Sequence, residues 1–385
     1  HDQMGASVSA CVRNQDTQHV QVRDADTGLY EWIPVCKHLP LVDDEPTASG
    51  GFKTGLRRQP QLTNKIVSPT DLTHGLWSKA TGVDPSAGGS IAAPLRGGAA
   101  VQGIYAPATS QFHYVRQTIT LHTSGTIACF YLLGAEGNVP FLYIEDGYTS
   151  GAWSYFDCST GTWGSKGSAF RQGTPVPMAG GLLHGIPVSF TSAGGTNLTQ
   201  LRIAPSDTDK GAPSPVYTAS ASGAEIYAGY VMATLWGRHV PYFSGSQGNV
   251  QQLSFGVGGL AHAAAPRGRM SFKCLIEDGY DITPSTYFLT QSKGVVLDQD
   301  CIRAYASSGE RGSSYVQEGG NAYDAINGAS IDLNDGEEHL VENAYAPGQK
   351  HRVFTDNVLE SESASVPTYP TAMDVIAVGS TEATT

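Results

Sequence analysis

The most concentrated group of acidic side chains lies in the stretch Asp332-Leu-Asn-Asp-Gly-Glu-Glu338, which makes it the first candidate for metal chemistry. Carboxylate oxygens are the ligands that Ca²⁺ prefers. The spacing departs from an EF-hand loop, because the glycine falls one position early and the acidic residue at the twelfth position is missing. Two hypotheses follow. Either Asp332, Asp335, Glu337 and Glu338 bind a structural divalent cation in an irregular loop, or the stretch is a solvated acidic turn.

Signatures of catalytic centres are absent from the sequence, which has no G-x-S-x-G elbow, no H-E-x-x-H and no P-loop. The stretch Gly256-Val-Gly-Gly-Leu-Ala261 fits G-x-G-x-x-A, but Pro266 would end the helix that a dinucleotide site requires. The pairs Glu145-Asp146 and Glu277-Asp278 would serve a glycosidase only if the fold held the two carboxylates about 5–9 Å apart. We therefore predict that the protein is not an enzyme and has no catalytic residue.

Aromatic side chains separated by Ser, Gly and Thr form a second candidate site. They are Trp153, Tyr155, Phe156 and Trp163. In one interpretation these rings stack against sugars. In the other they pack a β-sandwich and anchor its loops.

The elements that would position these residues are β-strands. Apolar residues alternate in Ile186–Phe190 and Leu198–Ile203, on either side of a glycine-containing turn at 192–196. Tyr230–Leu235 is a third apolar strand. Pro205 is predicted to end the second strand, because proline gives the ladder no N–H donor.

Further strands are predicted from the same alternation at Tyr30–Ile33, Tyr114–His122, Thr126–Leu133, Phe141–Ile144, Val250–Val257, Met270–Ile276, Val341–Tyr345 and His351–Phe354. The composition agrees, because 46 glycines and 21 prolines with 15% charged residues favour short strands and turns over long helices. We predict an all-β protein. The apolar phase of the strands predicts that six side chains face inward: Ile119, Leu121, Phe190, Leu201, Ile203 and Leu235.

The order of motifs around residue 200 resembles that of picorna-like virus capsid proteins. Gly180-Gly-Leu182 enters a strand, Gly195-Thr-Asn197 forms a turn, and Val240-Pro-Tyr-Phe-Ser244 follows the next strand pair. Two earlier stretches, Asp44-Glu-Pro46 and Gly82-Val-Asp-Pro-Ser86, resemble in order and spacing the arm motifs of dicistrovirus and iflavirus subunits. The chain departs from the family pattern around Arg116, where the family usually has tryptophans.

The resemblance implies an antiparallel jelly-roll sandwich over residues 101–309. Residues 1–100, with prolines at seven positions between 34 and 94, are predicted to be a long extended arm that neighbouring subunits order. Residues 310–385 are predicted to be an acidic C-terminal extension or projection. The implied function is that of a structural subunit of an icosahedral capsid, which assembles around an RNA genome. The implied location is the virion, assembled in the host cytoplasm.

The net charge and its distribution along the chain indicate which partners to expect. The formal charge is −12, and 13 acidic and 3 basic residues after position 309 account for −10 of it. Phosphate binding needs clustered Lys and Arg, so we expect RNA to be held only weakly. Other capsid subunits and copies of this chain are the main expected partners, and a host receptor or glycan would meet the outer surface. The longest apolar run, Ile127–Leu133, is too short to span a membrane.

The alternative function is that of a β-rich carbohydrate-binding or glycan-processing protein, such as a phage tail or spike component. It would use the aromatic residues near Trp153 and Trp163. No cofactor is expected in either case, apart from the divalent cation considered for the acidic stretch. Six cysteines without C-x-x-C or zinc-finger spacing indicate a reducing compartment.

Overall fold

The computed structural model describes residues 8–11, 17–36, 42–56, 62–95, 98–120, 127–191, 198–234, 246–247, 253–256, 268–276, 286–292, 300–307, 309, 311–318, 321–370 and 375–378. Over these ranges the chain forms 32 β-strands, paired antiparallel, and no α-helix. The predicted all-β class is confirmed, and every predicted strand overlaps an observed one. A helix long and apolar enough to cross a membrane is absent from this described part.

Eight short strands precede residue 100. They are β1 (Val8–Cys11), β2 (Thr17–Arg23), β3 (Tyr30–Cys36), β4 (Val42–Pro46), β5 (Phe52–Leu56), β6 (Leu62–Thr63), β7 (Ser78–Lys79) and β8 (Ser90–Ile91). Two hairpins stand out, β2 with β3 and β4 with β5. The prolines and turn residues between the other strands keep them to a few residues each.

The next thirteen strands include most strands of a first sandwich. They are β9 (Val101–Ile104), β10 (Ser110–Gln111), β11 (Val115–Thr120), β12 (Ile127–Glu136), β13 (Phe141–Asp146), β14 (Trp153–Asp157), β15 (Thr162–Lys166), β16 (Phe170–Gln172), β17 (Val176–Pro177), β18 (His184–Thr191), β19 (Leu198–Ser206), β20 (Tyr217–Thr218) and β21 (Ile226–Thr234). One sheet has the order β16-β18-β12-β21-β9-β8, and the other has the order β15-β14-β13-β19-β11-β7.

Eight of these strands pair in a nested order. In chain order they are β9, β11, β12, β13, β14, β18, β19 and β21. The first of these strands pairs with the eighth, and the second pairs with the seventh. The third pairs with the sixth, and the fourth pairs with the fifth. The pairs β12–β21 and β13–β19 then join these four ladders into two four-stranded halves. The chain therefore alternates between the two sheets from strand to strand until it turns back at the β13–β14 hairpin.

The core lies between the inner faces of these two sheets. Of the side chains predicted to face inward, Ile119, Phe190, Leu201 and Ile203 are buried in it, whereas Leu121 and Leu235 lie outside the described residues. Pro205 does not end its strand, because β19 continues to Ser206. The ladder between β19 and β11 stops at Ile203, so the missing N–H of Pro205 costs no hydrogen bond to β11. On its other edge, β19 still pairs with β13 as far as Ser206.

The N-terminal strands fold back onto the sandwich. Trp32 of β3 is 1% exposed and packs against the outer face of the first sheet, with ring centroids 5.8 Å from Tyr131 and 5.7 Å from Tyr230. Leu72 and Trp77 belong to the sandwich core itself. In the described parts of residues 17–95, much of the apolar surface is thus covered within the same chain, which differs from an arm ordered only by neighbours.

The first of the remaining strands pairs with β6, and the others belong to a second sandwich. The remaining strands are β22 (Ser246–Gln247), β23 (Leu253–Gly256), β24 (Gly268–Leu275), β25 (Thr286–Ser292), β26 (Cys301–Ala306), β27 (Arg311–Glu318), β28 (Asn321–Asp332), β29 (Glu338–Tyr345), β30 (Arg352–Thr355), β31 (Val358–Glu362) and β32 (Val375–Val378). A sheet with the order β1-β23-β32-β25-β26-β27-β28 packs on a sheet with the order β24-β29-β30-β31. Since β26 pairs with β27, one sheet runs across residue 309, where the sequence places a boundary.

We expect Leu201→Ala to lower the free energy of unfolding by about 2–5 kcal/mol, because it leaves a cavity in the core of the first sandwich. Urea unfolding followed by tryptophan fluorescence measures the loss. Thr120→Ala, at an exposed position on neighbouring β11, is the control and should change little. A loss under about 1 kcal/mol for Leu201→Ala, no larger than an ordinary surface change, would contradict its place in the core.

Candidate functional site

The four predicted cation ligands lie from the last residue of β28 to the first residue of β29, and each already has a partner in the chain. One oxygen of Asp332 accepts the backbone N–H of Asn334 (3.0 Å), and the other lies 3.8 Å from Nη1 of Arg311. Oδ1 of Asp335 accepts the backbone N–H of Glu337 (2.9 Å). These are local hydrogen bonds of the kind that define an acidic turn.

Glu337 and Glu338 fasten the β4–β5 hairpin to the second sandwich. Glu337 accepts the backbone N–H of Ser49 at 2.6 Å and its hydroxyl at 3.2 Å. Oε1 of Glu338 accepts Nζ of Lys53 at 3.2 Å and Nζ of Lys273 at 3.0 Å. We call the contacts of Glu337 with Ser49, and of Glu338 with Lys53 and Lys273, the acidic clasp. Because one carboxylate contacts lysines from two distant segments, it joins the N-terminal hairpin to β24 and β29.

His339 stabilises the loop behind the clasp. Its Nε2 lies 3.0 Å from Oδ1 of Asp335 and its Nδ1 lies 2.7 Å from Oδ2 of Asp356, while its side chain is 9% exposed. A carboxylate only accepts, so both ring nitrogens must donate and the ring must carry two protons. Burial lowers the pKa of His339, but the hydrogen bonds to Asp356 and Asp335 outweigh it and raise the pKa above its ordinary value.

The clasp has the geometry of a structural contact. Within the described ranges, no three or more His, Cys, Asp or Glu side chains converge as a metal site would require. Lysine, histidine and backbone donors occupy oxygens of the acidic loop. Cation binding by Asp332, Asp335, Glu337 and Glu338 stays a prediction that this geometry does not support.

The predicted aromatic group divides between two faces of one sheet. Phe156 is buried in the core, and Trp163 packs against it at 5.1 Å while its Nε1–H donates to the carbonyl oxygen of Gly173 (2.6 Å). Trp153 and Tyr155 lie on the outer face, 5.9 Å apart. Successive residues of a strand point to opposite faces. Tyr155 is fully buried on the outer face, so of these four rings only the partly exposed Trp153 is placed to contact a ligand there.

The same outer face holds a line of polar side chains across four strands. In the ladders, Trp153 is opposite Glu145, Glu145 is opposite Arg202, and Arg202 is opposite Arg116. We call these four residues the charged row. Nη1 of Arg202 lies 3.1 Å from Oε2 of Glu145. Nε of Arg202 donates to Oε1 of Gln200 at 2.8 Å, and Nη1 of Arg116 donates to the same oxygen at 3.4 Å.

The charged row carries an excess of positive charge. Burial raises the pKa of Glu145, and the neighbouring Arg202 only partly offsets that. Arg116 makes no ion pair within the described part of the chain. Both guanidinium groups lie over the ring of Tyr114, at 5.3 Å for Arg116 and 5.9 Å for Arg202. One carboxylate thus faces two arginines on a surface that also presents aromatic rings.

The glycosidase arrangement considered for Glu145 and Asp146 does not form. Asp146 is 1% exposed and accepts the backbone N–H of Gln200 at 2.8 Å, whereas Glu145 lies in the charged row. As neighbours on β13 they point to opposite faces of the sheet, so they do not flank one sugar. The second pair, Glu277-Asp278, lies outside the described residues.

The sequence alone did not single out Arg202 or Arg116. Their outward positions follow from strand alternation, because Leu201 and Ile203 on one strand and Val115 and Ile119 on the other face the core. The two arginines stand opposite each other only because of the register between β11 and β19. That register pairs residues far apart in the chain, and Arg116 and Arg202 are 86 positions apart.

Comparison with known proteins adds little. No family model matches the chain, and no curated protein matches it. Among solved structures it is similar to domains LG4-5 of the mouse laminin alpha1 chain, with 12% identity over 72% of this chain and 84% of that one, at a TM-score of 0.23. It is also similar to the LG1-3 region of the laminin alpha2 chain, with 11% identity over 71% and 58%, at a TM-score of 0.18. Neither likeness supports a conclusion about fold or function.

We expect His339→Gln to destabilise the second sandwich at pH 6 by about 1 kcal/mol, a modest figure because both aspartates are partly exposed. The pKa of His339 is raised, so its contribution is complete below the ordinary value near 6.5 and is lost as the pH rises through the raised pKa. Urea unfolding at pH 6 and pH 9 measures both effects.

His74→Gln changes an exposed histidine of the first sandwich and is the control. The difference between wild type and His339→Gln should shrink from pH 6 to pH 9, while the control shows no such trend. An equal difference at both pH values would contradict a charged His339.

Proposed function

We propose that the protein is a structural subunit of an icosahedral viral capsid, built on a jelly roll. The observation that carries the proposal is the nested pairing of eight strands, first with eighth through fourth with fifth. Rolling one long hairpin of four strand pairs into two packed sheets produces this order, and such jelly rolls occur in viral capsids, in lectins and in cupins. Topology alone does not specify function. The capsid-like motif order, from Gly180-Gly-Leu182 to Val240-Pro-Tyr-Phe-Ser244, favours the first of these classes.

Exposed apolar side chains supply surfaces for contact between subunits. Val358 and Leu359 are 50% and 51% exposed and follow the Asp356-Asn357 turn, where both residues have positive φ. Ile33 and Phe52 are exposed on the N-terminal hairpins. Val358 and Leu359 are adjacent in the chain, and neighbouring exposed apolar side chains favour association. In this proposal, copies of this chain and other capsid subunits cover these residues.

The distribution of charge supports an outward position for the second sandwich. Most of the net negative charge lies beyond residue 309, and carboxylates facing encapsidated RNA would raise the energy by like-charge repulsion. We place this sandwich on the outer surface as a projection, where a host receptor would meet it. Contact with RNA is then weak and is left to the first sandwich and the N-terminal segment.

The state of the cysteines agrees with assembly in the host cytoplasm. Cys129, Cys158, Cys274 and Cys301 are buried, and none of these four is in a disulfide bond. Burial raises the pKa of the Cys274 thiol to about 12, so this thiol stays protonated and unreactive at neutral pH. A secreted protein of this size would more often have such residues in disulfides.

Sedimentation velocity of the purified full chain tests the proposal. We expect species far heavier than a monomer, up to closed shells. Val358→Ser combined with Leu359→Ser should reduce them, because it removes the exposed apolar pair without touching either core. Val67→Ser, another exposed position at 48%, is the matched control and should assemble like the wild type. A chain that sediments as a monomer or small oligomer at every salt concentration and pH tested would contradict a shell subunit.

A further inference from the structure

We propose that the charged row binds a carboxylated sugar, with Arg116 and Arg202 holding the carboxylate and Trp153 stacking against a sugar ring. The proposal concerns the outer face of the sheet β14-β13-β19-β11. It does not depend on the shell function, since a lectin or a capsid could carry such a face.

The arginine pair is the first reason. Arg116 and Arg202 stand directly opposite each other on neighbouring strands, where like charges destabilise a sheet unless an anion lies between them. Two guanidinium groups have ten N–H donors. Within the described chain they make three hydrogen bonds, one to Glu145 and two to Gln200. The remaining donors match an anion with two oxygens on a plane, which a carboxylate provides.

The pair is held in position before any ligand arrives. Gln200 bridges both guanidinium groups through one oxygen. The ring of Tyr114 lies against both. The Arg202 guanidinium also lies against the bare backbone of Gly147, where an added Cβ would be 2.7 Å from its central carbon. Side chains fixed in this way lose little entropy on binding, so the cost of ordering them is already met by folding.

A sugar fits the rest of the row. Trp153 lies at its far end with its ring perpendicular to that of Tyr155, whose hydroxyl donates to the carbonyl oxygen of Ala212 at 2.6 Å. The four strands place Trp153 about 14 Å from Arg116 at the usual strand spacing, the length of a short oligosaccharide. Between them, the carboxylate of Glu145 can accept hydrogen bonds from sugar hydroxyls. A nucleic acid would place phosphates along the whole row, beside that carboxylate, whereas an acidic sugar places one negative charge at the arginine end, which favours a sugar over RNA.

Isothermal titration calorimetry and saturation-transfer NMR test the proposal with two pairs of probes, each made of an acidic sugar and its neutral partner. The pairs are sialyllactose with lactose and cellobiouronic acid with cellobiose. We expect at least one acidic member to bind about tenfold more tightly than its neutral partner, the value of one good charged hydrogen bond. Arg116→Gln and Trp153→Leu should each weaken that binding about tenfold. Glu145→Gln should strengthen it, because it removes a negative charge next to the carboxylate.

Two further variants test whether binding depends on the position of the Arg202 guanidinium and whether it is specific to this face of the protein. Gly147→Ala keeps every charge but displaces the guanidinium of Arg202, so it should also weaken binding. Arg171→Gln removes an exposed arginine from the other sheet and should have no effect. Circular dichroism confirms that each variant folds.

Three results would overturn the proposal. They are equal affinity for the acidic and neutral sugars, binding that Arg116→Gln leaves unchanged, and binding of an oligouridylate probe that the acidic sugar does not displace. The last result would assign the row to nucleic acid. Sedimentation of Arg116→Gln is measured in parallel, so a loss of sugar binding with normal assembly separates this inference from the shell function.

Discussion

The rest of the structure depends on one strand that is apolar on both faces. β12 is ten residues long. Phe130 and Leu132 point into the sandwich core, while Tyr131 and Leu133 point the other way and are also buried. Each such side chain contributes about 1.5–3 kcal/mol when removed from water. A strand of this kind cannot lie at the edge of a sheet or face solvent, so both of its faces must be covered.

Two parts of the chain meet that requirement, and they explain much of the fold. The second sheet covers the inner face through the nested pairing. The β2–β3 hairpin covers the outer face with Trp32, so the N-terminal segment packs on its own chain. A bulge in β21 helps to cover the same outer face. At the bulge, Tyr230 adopts a φ of 51° and its ring lies against Trp32. Its hydroxyl donates a hydrogen bond to the carbonyl oxygen of Ala99 at 2.5 Å. The strain of that backbone conformation is offset by the burial of a large ring.

The sequence was sufficient for eleven of the 32 described strands and for four of the side chains in the core of the first sandwich. Alternation located Ile119 and Leu201 on the inner face because period two needs only local information. It was not sufficient where partners decide the outcome. Pro205 continues its strand because the neighbouring ladder ends two residues earlier. The charged row needs the register of three separate ladders, which no single segment encodes. The acidic loop was recognised as a cluster, but its partners Lys53 and Lys273 come from elsewhere in the chain.

The nested order of the strands links the fold to the proposed function. A nested roll leaves the sheet edges, at strands such as β15 and β16, outside the core, together with the part of the outer face of β14-β13-β19-β11 that holds the charged row. Those are the surfaces through which copies of a subunit would meet each other and a host. Electron microscopy of the purified particles tests this account most directly. It predicts closed shells of uniform diameter with icosahedral symmetry, in which the second sandwich projects outward. Small rings, filaments or single molecules without closed shells would contradict it.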